Sequence, residues 1–191
     1  MEHKKLAAAA LGFLAMVTLS WTVLAGQQAK DAPRPPRQPA HKEGGAAGPM
    51  FVKYEDAKFQ KIVPEIGEDG PEIAILRVDP KTGATQLLIR AVAAMRVPEH
   101  WHSANETHTV IKGVQVFECG GVRETLTPGG FNYIPAKDPH RAWLSAGSIV
   151  FITVDGPWDV NWVSGPPTRD DLGPAAVADV IKTAEDAPQG G

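Results

Sequence analysis

The stretch VPEHWHSANETHTVIKG, Val97 to Gly113, holds three of the chain's six histidines and two glutamates within seventeen residues. In a β-strand, residues i and i+2 point to the same side, so His100 and His102 project together from one strand end. A three-residue loop then turns the chain, and Glu106 begins the next strand with His108 on its face. The stretch therefore predicts that imidazoles and a carboxylate converge from two adjacent strands.

Two histidines and a carboxylate are sufficient ligands for a catalytic zinc, or for the facial triad of non-haem iron. A further candidate is His140, which opens another predicted strand. If that strand lies beside the first segment, the ligand set becomes His100, His102, Glu106 and His140. His108 has three readings: a substitute ligand, a proton shuttle or a polar pocket residue. We favour a position beside the ligands or in the pocket over direct ligation.

Around this cluster the apolar residues alternate with period two, in short runs separated by glycine and proline turns. The pattern predicts an all-β barrel or sandwich without a long amphipathic helix in its core. Trp101 and Trp143 alternate with the predicted ligands and should face away from them. Cys119, the only cysteine, excludes an intramolecular disulfide, and we interpret it as a small buried apolar residue. Strands are predicted at residues 72–78, 85–92, 106–112, 114–119, 130–134, 140–144, 148–154 and 158–163.

His100, His102, Glu106 and Gly113 follow one another at the spacing H-x-H, three residues, E, six residues, G. This spacing resembles the first motif of the cupin superfamily. That motif opens with a glycine, which is replaced here by Ala94.

A second segment resembles the other cupin motif, which reads G, five residues, P-x-G, two residues, H, three residues, N. Gly129, Pro135 and His140 stand at the matching positions. Lys137 occupies the place of the second glycine, and Leu144 that of the asparagine. These departures fall on turn and support positions rather than on the ligands.

The resemblance implies a small antiparallel β-barrel of the jelly-roll type, a single barrel that could form a homodimer. It also implies a divalent transition metal bound by His100, His102, Glu106 and His140. Imidazole ligands suit Mn, Fe, Co, Ni, Cu or Zn, whereas Ca²⁺ and Mg²⁺ prefer oxygen ligands. The segments HWHSANETHTVIKG and GPWDVNWV are also similar to a group of exported single-domain cupins, and this match is looser than the match to the superfamily.

The function expected from this ligand set is dioxygenase- or isomerase-type chemistry on a small oxygen-containing or aromatic molecule. Glu106 and His108 are the candidate proton carriers. The alternative is a non-catalytic module, held near the membrane, that binds or senses a metal or a small ligand. A formal net charge of −3 gives no electrostatic argument for nucleic-acid binding.

The two ends of the chain differ from its centre in composition. Residues 1–26 combine a basic start with an uncharged run of twenty, Leu6 to Ala25, and a small-residue cleavage pattern. A cleaved signal peptide is favoured over a retained membrane-anchoring helix, and either predicts export to the periplasm or the exterior. Residues 27–49 are predicted to be a disordered linker rich in Pro, Gly and Ala. Residues 50–169 form the predicted barrel, and residues 170–191 a tail with a possible short helix.

Overall fold

The computed structural model describes residues 48–185, with side chains up to Ile181. The predicted signal or anchor helix and nearly all of the predicted linker lie outside these residues. Within them the regular secondary structure is mostly β-strand, with four short 3-10 helices and one α-helix that follows the last strand. The strands are β1 (Gln60–Lys61), β2 (Glu72–Val78), β3 (Thr85–Arg90), β4 (Met95–Trp101), β5 (Glu106–Lys112), β6 (Gln115–Cys119), β7 (Val122–Leu126), β8 (Phe131–Ile134), β9 (His140–Leu144), β10 (Ile149–Val154) and β11 (Asn161–Trp162), and the helix is α1 (Ala178–Glu185).

The strands form two antiparallel sheets that together make a jelly-roll sandwich. The first sheet has the order β1-β2-β3-β10-β5-β8, and the second has the order β11-β4-β9-β6-β7. Each sheet contains strands from both halves of the chain, so the connections cross repeatedly between the sheets.

The expectation of a closed barrel is wrong, because no strand ladder joins the two sheets in the described part of the chain. The outermost strands explain why the sheets stay separate. On one side, β1 and β11 are only two residues long. On the other side, β7 is exposed along most of its length and carries Arg123 and Glu124. Short or charged strands of this kind are typical of sheet edges that are protected from further pairing.

The apolar core fills the space between the sheets. It joins Ile73 and Leu87 of the first sheet to Phe117 and Leu144 of the second, and all four side chains are buried. These positions alternate with outward-facing residues, which is why the sequence shows a period of two.

A second apolar cluster covers the outer face of the second sheet. There Trp143 packs with Val116 and with Val177 and Ile181 of the C-terminal segment. Trp143 thus faces away from the predicted ligands, as expected. The C-terminal residues that pack on it include α1, where the sequence suggested a short helix.

Gly113 marks a tight approach between two turns. Its φ is +82°, and a Cβ atom at this position would lie 2.3 Å from Ser148 Oγ. Only glycine has both the conformational freedom and the space required here. The closing glycine of the first motif is therefore needed to start β6.

Among residues 48–185, no helix is both long enough and apolar enough to cross a bilayer.

Candidate metal centre

The predicted ligands lie on strands of both sheets. His100 is the penultimate residue of β4, and His140 opens β9, the neighbouring strand of the second sheet, where the two residues are paired in register. His102 follows directly after β4. Glu106 and His108 lie on β5 of the first sheet. All five side chains are buried between the sheets, so the structure brings the predicted site residues together.

A β-bulge in β4 turns His100 towards the interior. Met95 is buried and Val97 lines the interior cavity, so uninterrupted alternation would next direct Glu99 inward. The register against β9 shifts between Val97 and His100, which reverses the parity of the strand end. Bulges commonly re-aim side chains in this way. Pro98, which has no N–H to donate to a ladder, lies inside the irregular stretch.

The three histidines from the two motifs form a compact cluster. One ligand nitrogen of each of His100, His102 and His140 lies within 4.8 Å of the others. The ring centroids of His100 and His140 are 4.3 Å apart. Glu106 approaches from the opposite sheet, and its Oε1 lies 3.2 Å from Nε2 of both His102 and His140.

Hydrogen bonds fix the tautomer of each clustered histidine. Nδ1–H of His100 donates to the Pro98 carbonyl at 2.8 Å, and Nδ1–H of His140 donates to the Asp138 carbonyl at 2.9 Å. Nδ1–H of His102 donates to the carbonyl of Asp159. Because a carbonyl oxygen only accepts, Nδ1 carries the proton and the Nε2 lone pair is free for a metal.

Unpaired polar atoms are concentrated at this centre. Glu106 is 1% exposed, yet neither carboxylate oxygen has an aligned hydrogen-bond partner, and His140 Nε2 also lacks one. A buried carboxylate without partners is unfavourable. In contrast, ligand atoms about 2.1 Å from a shared ion and at right angles to one another lie about 3 Å apart. The observed separations and the mixed imidazole–carboxylate donor set therefore fit a transition-metal ion.

The ionisation of the cluster also suits a cation. Burial opposes the charge of Glu106, but the neighbouring imidazoles His108, His102 and His140 outweigh it and hold the pKa of the carboxyl well below its usual range. Burial and the neighbouring His140 and His102 push the pKa of His100 well below its ordinary value. Glu106 is thus a carboxylate and His100 a neutral imidazole at neutral pH.

His108 differs from the other three histidines. Its Nδ1 accepts a hydrogen bond from Nε2 of Gln115 at 3.0 Å, so its proton resides on Nε2. That Nε2 lies 3.1 Å from Glu106 Oε1. His108 therefore directs no lone pair at the centre. It lies beside the candidate ligands and does not itself offer a ligand atom.

Gln115 is a site residue that the sequence analysis did not identify. It lies on β6 and its side chain is buried between the sheets. One signal was available. Gln115 lies two residues before Phe117 and so shares its inward face, where a polar side chain is unusual on a strand that contributes to the core.

A small cavity opens beside the cluster. Its volume is about 80 Å³, whereas one water molecule needs roughly 10–15 Å³. Its wall is apolar and aromatic apart from the histidines, Glu106 and Gln115. The remaining lining residues are Ile62, Ile89, Val97, Phe117, Ala142, Leu144, Val150, Ile152, Trp158, Val160 and Trp162.

The loops that carry the ligands are tied to one another. Lys137 N–H donates to the carbonyl of His102 at 2.8 Å, and Ala136 N–H donates to Oδ1 of Asn105 at 2.9 Å. The carboxylate of Asp159 accepts hydrogen bonds from N–H and O–H of Ser103. These bonds connect the two motif segments directly at the site.

Cys119 is partly buried and takes no part in the cluster. Burial, with the nearby carboxylate of Asp138, raises the pKa of its thiol to about 11. The thiol therefore stays protonated at neutral pH, which is unfavourable for a nucleophile or a metal ligand.

Comparison with known proteins agrees with this architecture. Residues 89–156 match the cupin domain family. A DNA damage-repair/toleration protein of Arabidopsis thaliana is 31% identical over 106 residues, which are 54% of this chain and 33% of that protein. This chain thus spans about a third of the length of that curated relative.

Solved structures with a similar fold include two cupin-like proteins, and one of them supports the likeness in fold. A candidate acetylacetone dioxygenase from Methylibium petroleiphilum superposes with a TM-score of 0.51 at 17% identity, covering 66% of this chain and 90% of that one. An RmlC-like cupin from Shewanella frigidimarina has a TM-score of 0.47 at 19% identity, and the match covers 64% of this chain and 96% of that one. The domain match covers residues 89–156, which include both motif segments, and it identifies this part of the chain as a cupin domain.

Proposed function

We propose that this chain is an exported metal-dependent enzyme of dioxygenase or isomerase type. Its substrate would be a small oxygen-containing or aromatic molecule. A divalent transition metal would be held by Nε2 of His100, His102 and His140 and by the carboxylate of Glu106. The observation that carries the proposal is the buried carboxylate of Glu106, which faces a cluster of three imidazoles. Two of these imidazoles, His100 and His102, also line a cavity.

The cavity favours catalysis over a purely structural metal. Structural sites are closed by protein ligands, whereas catalytic sites keep a position open for water or substrate. Here the only further imidazole nearby in the described chain, His108, turns its protonated nitrogen towards Glu106. It therefore leaves the cavity side of the centre unfilled by a protein lone pair.

The chain's own residues supply the surrounding chemistry. A bound ion would act as a Lewis acid towards an oxygen atom of the substrate. Trp158, Trp162 and Phe117 would hold an aromatic or apolar body and exclude water. His108 would hold a proton at Nε2, close to Glu106 Oε1, where it can be given to or taken from a bound molecule.

The activity test uses protein reconstituted separately with Mn, Fe, Co, Ni, Cu and Zn. Each form is incubated with small enediols, phenols and keto acids, with and without air. Substrate loss with oxygen uptake would indicate a dioxygenase, and loss without oxygen uptake an isomerase. The proposal predicts that His140→Ala abolishes turnover. Metal-replete protein that consumes none of these compounds would favour the non-catalytic binding module instead.

Export is proposed from residues 1–26, which combine basic residues, an apolar run and a cleavage pattern. Mass spectrometry of the mature N-terminus separates a cleaved signal from a retained anchor. A chain that keeps residue 1 and fractionates with membranes would support the anchor. An intact chain found only in the cytoplasm would contradict export altogether.

A further inference from the structure

Gln115 provides an unused acceptor in a cavity whose wall is apolar apart from the histidines and Glu106. It is 2% exposed, and its side chain lines the cavity beside the candidate metal centre. Its Nε2 donates to His108 Nδ1 at 3.0 Å, whereas its Oε1 has no hydrogen-bond partner. A buried acceptor left unpaired is unfavourable, so this oxygen is available for a ligand that brings its own donor.

The remaining wall limits what that ligand can be. Among the described residues that line the cavity, Glu106 is the only one besides the histidines with an ionisable side chain, and none is a lysine or an arginine. An anionic group placed away from the metal ligands would therefore lack a cationic partner there. The aromatic residues Phe117, Trp158 and Trp162 favour an apolar or aromatic body.

We propose that Gln115 is a substrate-recognition residue, whose Oε1 accepts a hydrogen bond from the hydroxyl of a small, uncharged, mostly apolar or aromatic substrate. This inference rests on the proposed function and narrows its substrate class to molecules that carry an O–H donor. The same amide holds His108 with its proton on Nε2. Gln115 thus orients His108 through its Nε2 and can accept a hydrogen bond from the substrate through its Oε1.

The test compares phenol with fluorobenzene, which has nearly the same shape but no donor. Binding of each to the zinc-loaded and the metal-free chain is measured by calorimetry or ligand-observed NMR. The wild type should prefer phenol, and Gln115→Met should reduce that preference by about fivefold to tenfold, the effect of one lost hydrogen bond. Methionine matches the length of glutamine but has no amide group, and a thermal melt checks the fold.

Leu144→Met is the matched control. Leu144 is paired with Gln115 across β6 and β9 and lines the same cavity, so this variant alters packing without removing a polar group. It should keep the preference for phenol even where the overall affinity changes.

The inference is overturned if folded Gln115→Met keeps the full preference, or if the wild type shows none. It is also overturned if the wild type prefers benzonitrile, which only accepts, over phenol. Zinc content is measured separately for each preparation. A chain that takes up no zinc contradicts the proposed function, and the preference of the metal-free chain then still decides the role of Gln115.

Discussion

Lys137 holds a backbone conformation that glycine adopts most easily. Its φ is +66°, and it is the only non-glycine residue with positive φ in the part of the chain that the structure describes. The position lies three residues before His140, in the turn whose N–H donates to the carbonyl of His102. Lys137, which replaces the glycine of the second motif, thus keeps the backbone conformation of a glycine turn. The replacement places local strain beside the candidate metal centre.

Lys137→Gly should therefore stabilise the fold. Left-handed backbone costs a non-glycine residue about 1–2 kcal/mol, partly offset by the greater chain entropy of unfolded glycine. We expect the free energy of unfolding, measured with urea, to rise by about 0.5–1 kcal/mol. Lys137→Ala, which removes the charge but keeps a Cβ atom, is the control and should change little. A less stable glycine variant would show that the turn is not strained.

His102→Ala should remove the metal without unfolding the chain. Its side chain supplies one of three clustered imidazoles, while an apolar core between the sheets supplies most of the burial. We expect zinc affinity to fall at least 100-fold, whereas the circular dichroism spectrum stays that of a β-protein. Loss of the folded spectrum in the variant would mean that the metal site is structural.

Acidification should release the metal, because protons compete with the metal for the imidazoles. His102 should be protonated before His100, since the pKa values of the two histidines are shifted in opposite directions. Burial lowers the pKa of His102, but Glu106 outweighs burial and raises the pKa above its ordinary value. The pKa of His100 is instead lowered. With metal absent, a proton on His102 therefore stabilises the fold at low pH, and this contribution fades as the pH rises through the raised pKa.

Metal binding has the opposite dependence, because a ligand imidazole must be neutral. Zinc affinity, followed with a chromophoric chelator, should fall as the pH drops through about 6.5. Full occupancy retained well below that pH would contradict ligation by three histidines.

At the scale of elements, the sequence predicted which residues of a strand share a face, but it did not predict where a strand is interrupted by a bulge. The i, i+2 spacing correctly placed His100 with His102, and Glu106 with His108, on inward faces. The bulge in β4, which those inward positions require, depends on the register with β9 and has no local signature beyond Pro98. β7 was not predicted because its residues are mostly exposed and polar, so it shows no alternation.

Ile181→Ala tests the packing of α1 against the second sheet. Ile181 is 6% exposed and belongs to the cluster around Trp143. Truncation should lower the free energy of unfolding by about 2–4 kcal/mol and leave the zinc stoichiometry unchanged. Val122→Ala, at a position 60% exposed on β7, is the control and should change stability by less than about 0.5 kcal/mol. Equal effects of the two substitutions would show that α1 does not stabilise the sheet.

At the scale of the whole molecule, the site exists because two sheets face each other. The second sheet supplies three imidazoles, from β4, the residue after it and β9, and the first sheet supplies Glu106 and His108. Sequence spacing predicted that His100, His102, Glu106 and His140 would lie together, since both motifs are local patterns; that they bind a metal stays a prediction. The cavity and the role of Gln115 could not be predicted, because they arise from contacts between β5, β6 and the facing strands. The separation into two sheets likewise depends on edge strands that, within residues 48–185, do not pair with each other.

The central claim is that side chains from two separate segments hold one ion. Its most direct measurement is elemental analysis of protein purified from its native compartment, beside His140→Ala purified in the same way. We predict one transition-metal ion per wild-type chain and almost none in the variant, with both folded. A wild-type chain that contains no transition metal and takes none up, or a variant that keeps its ion, would contradict the account.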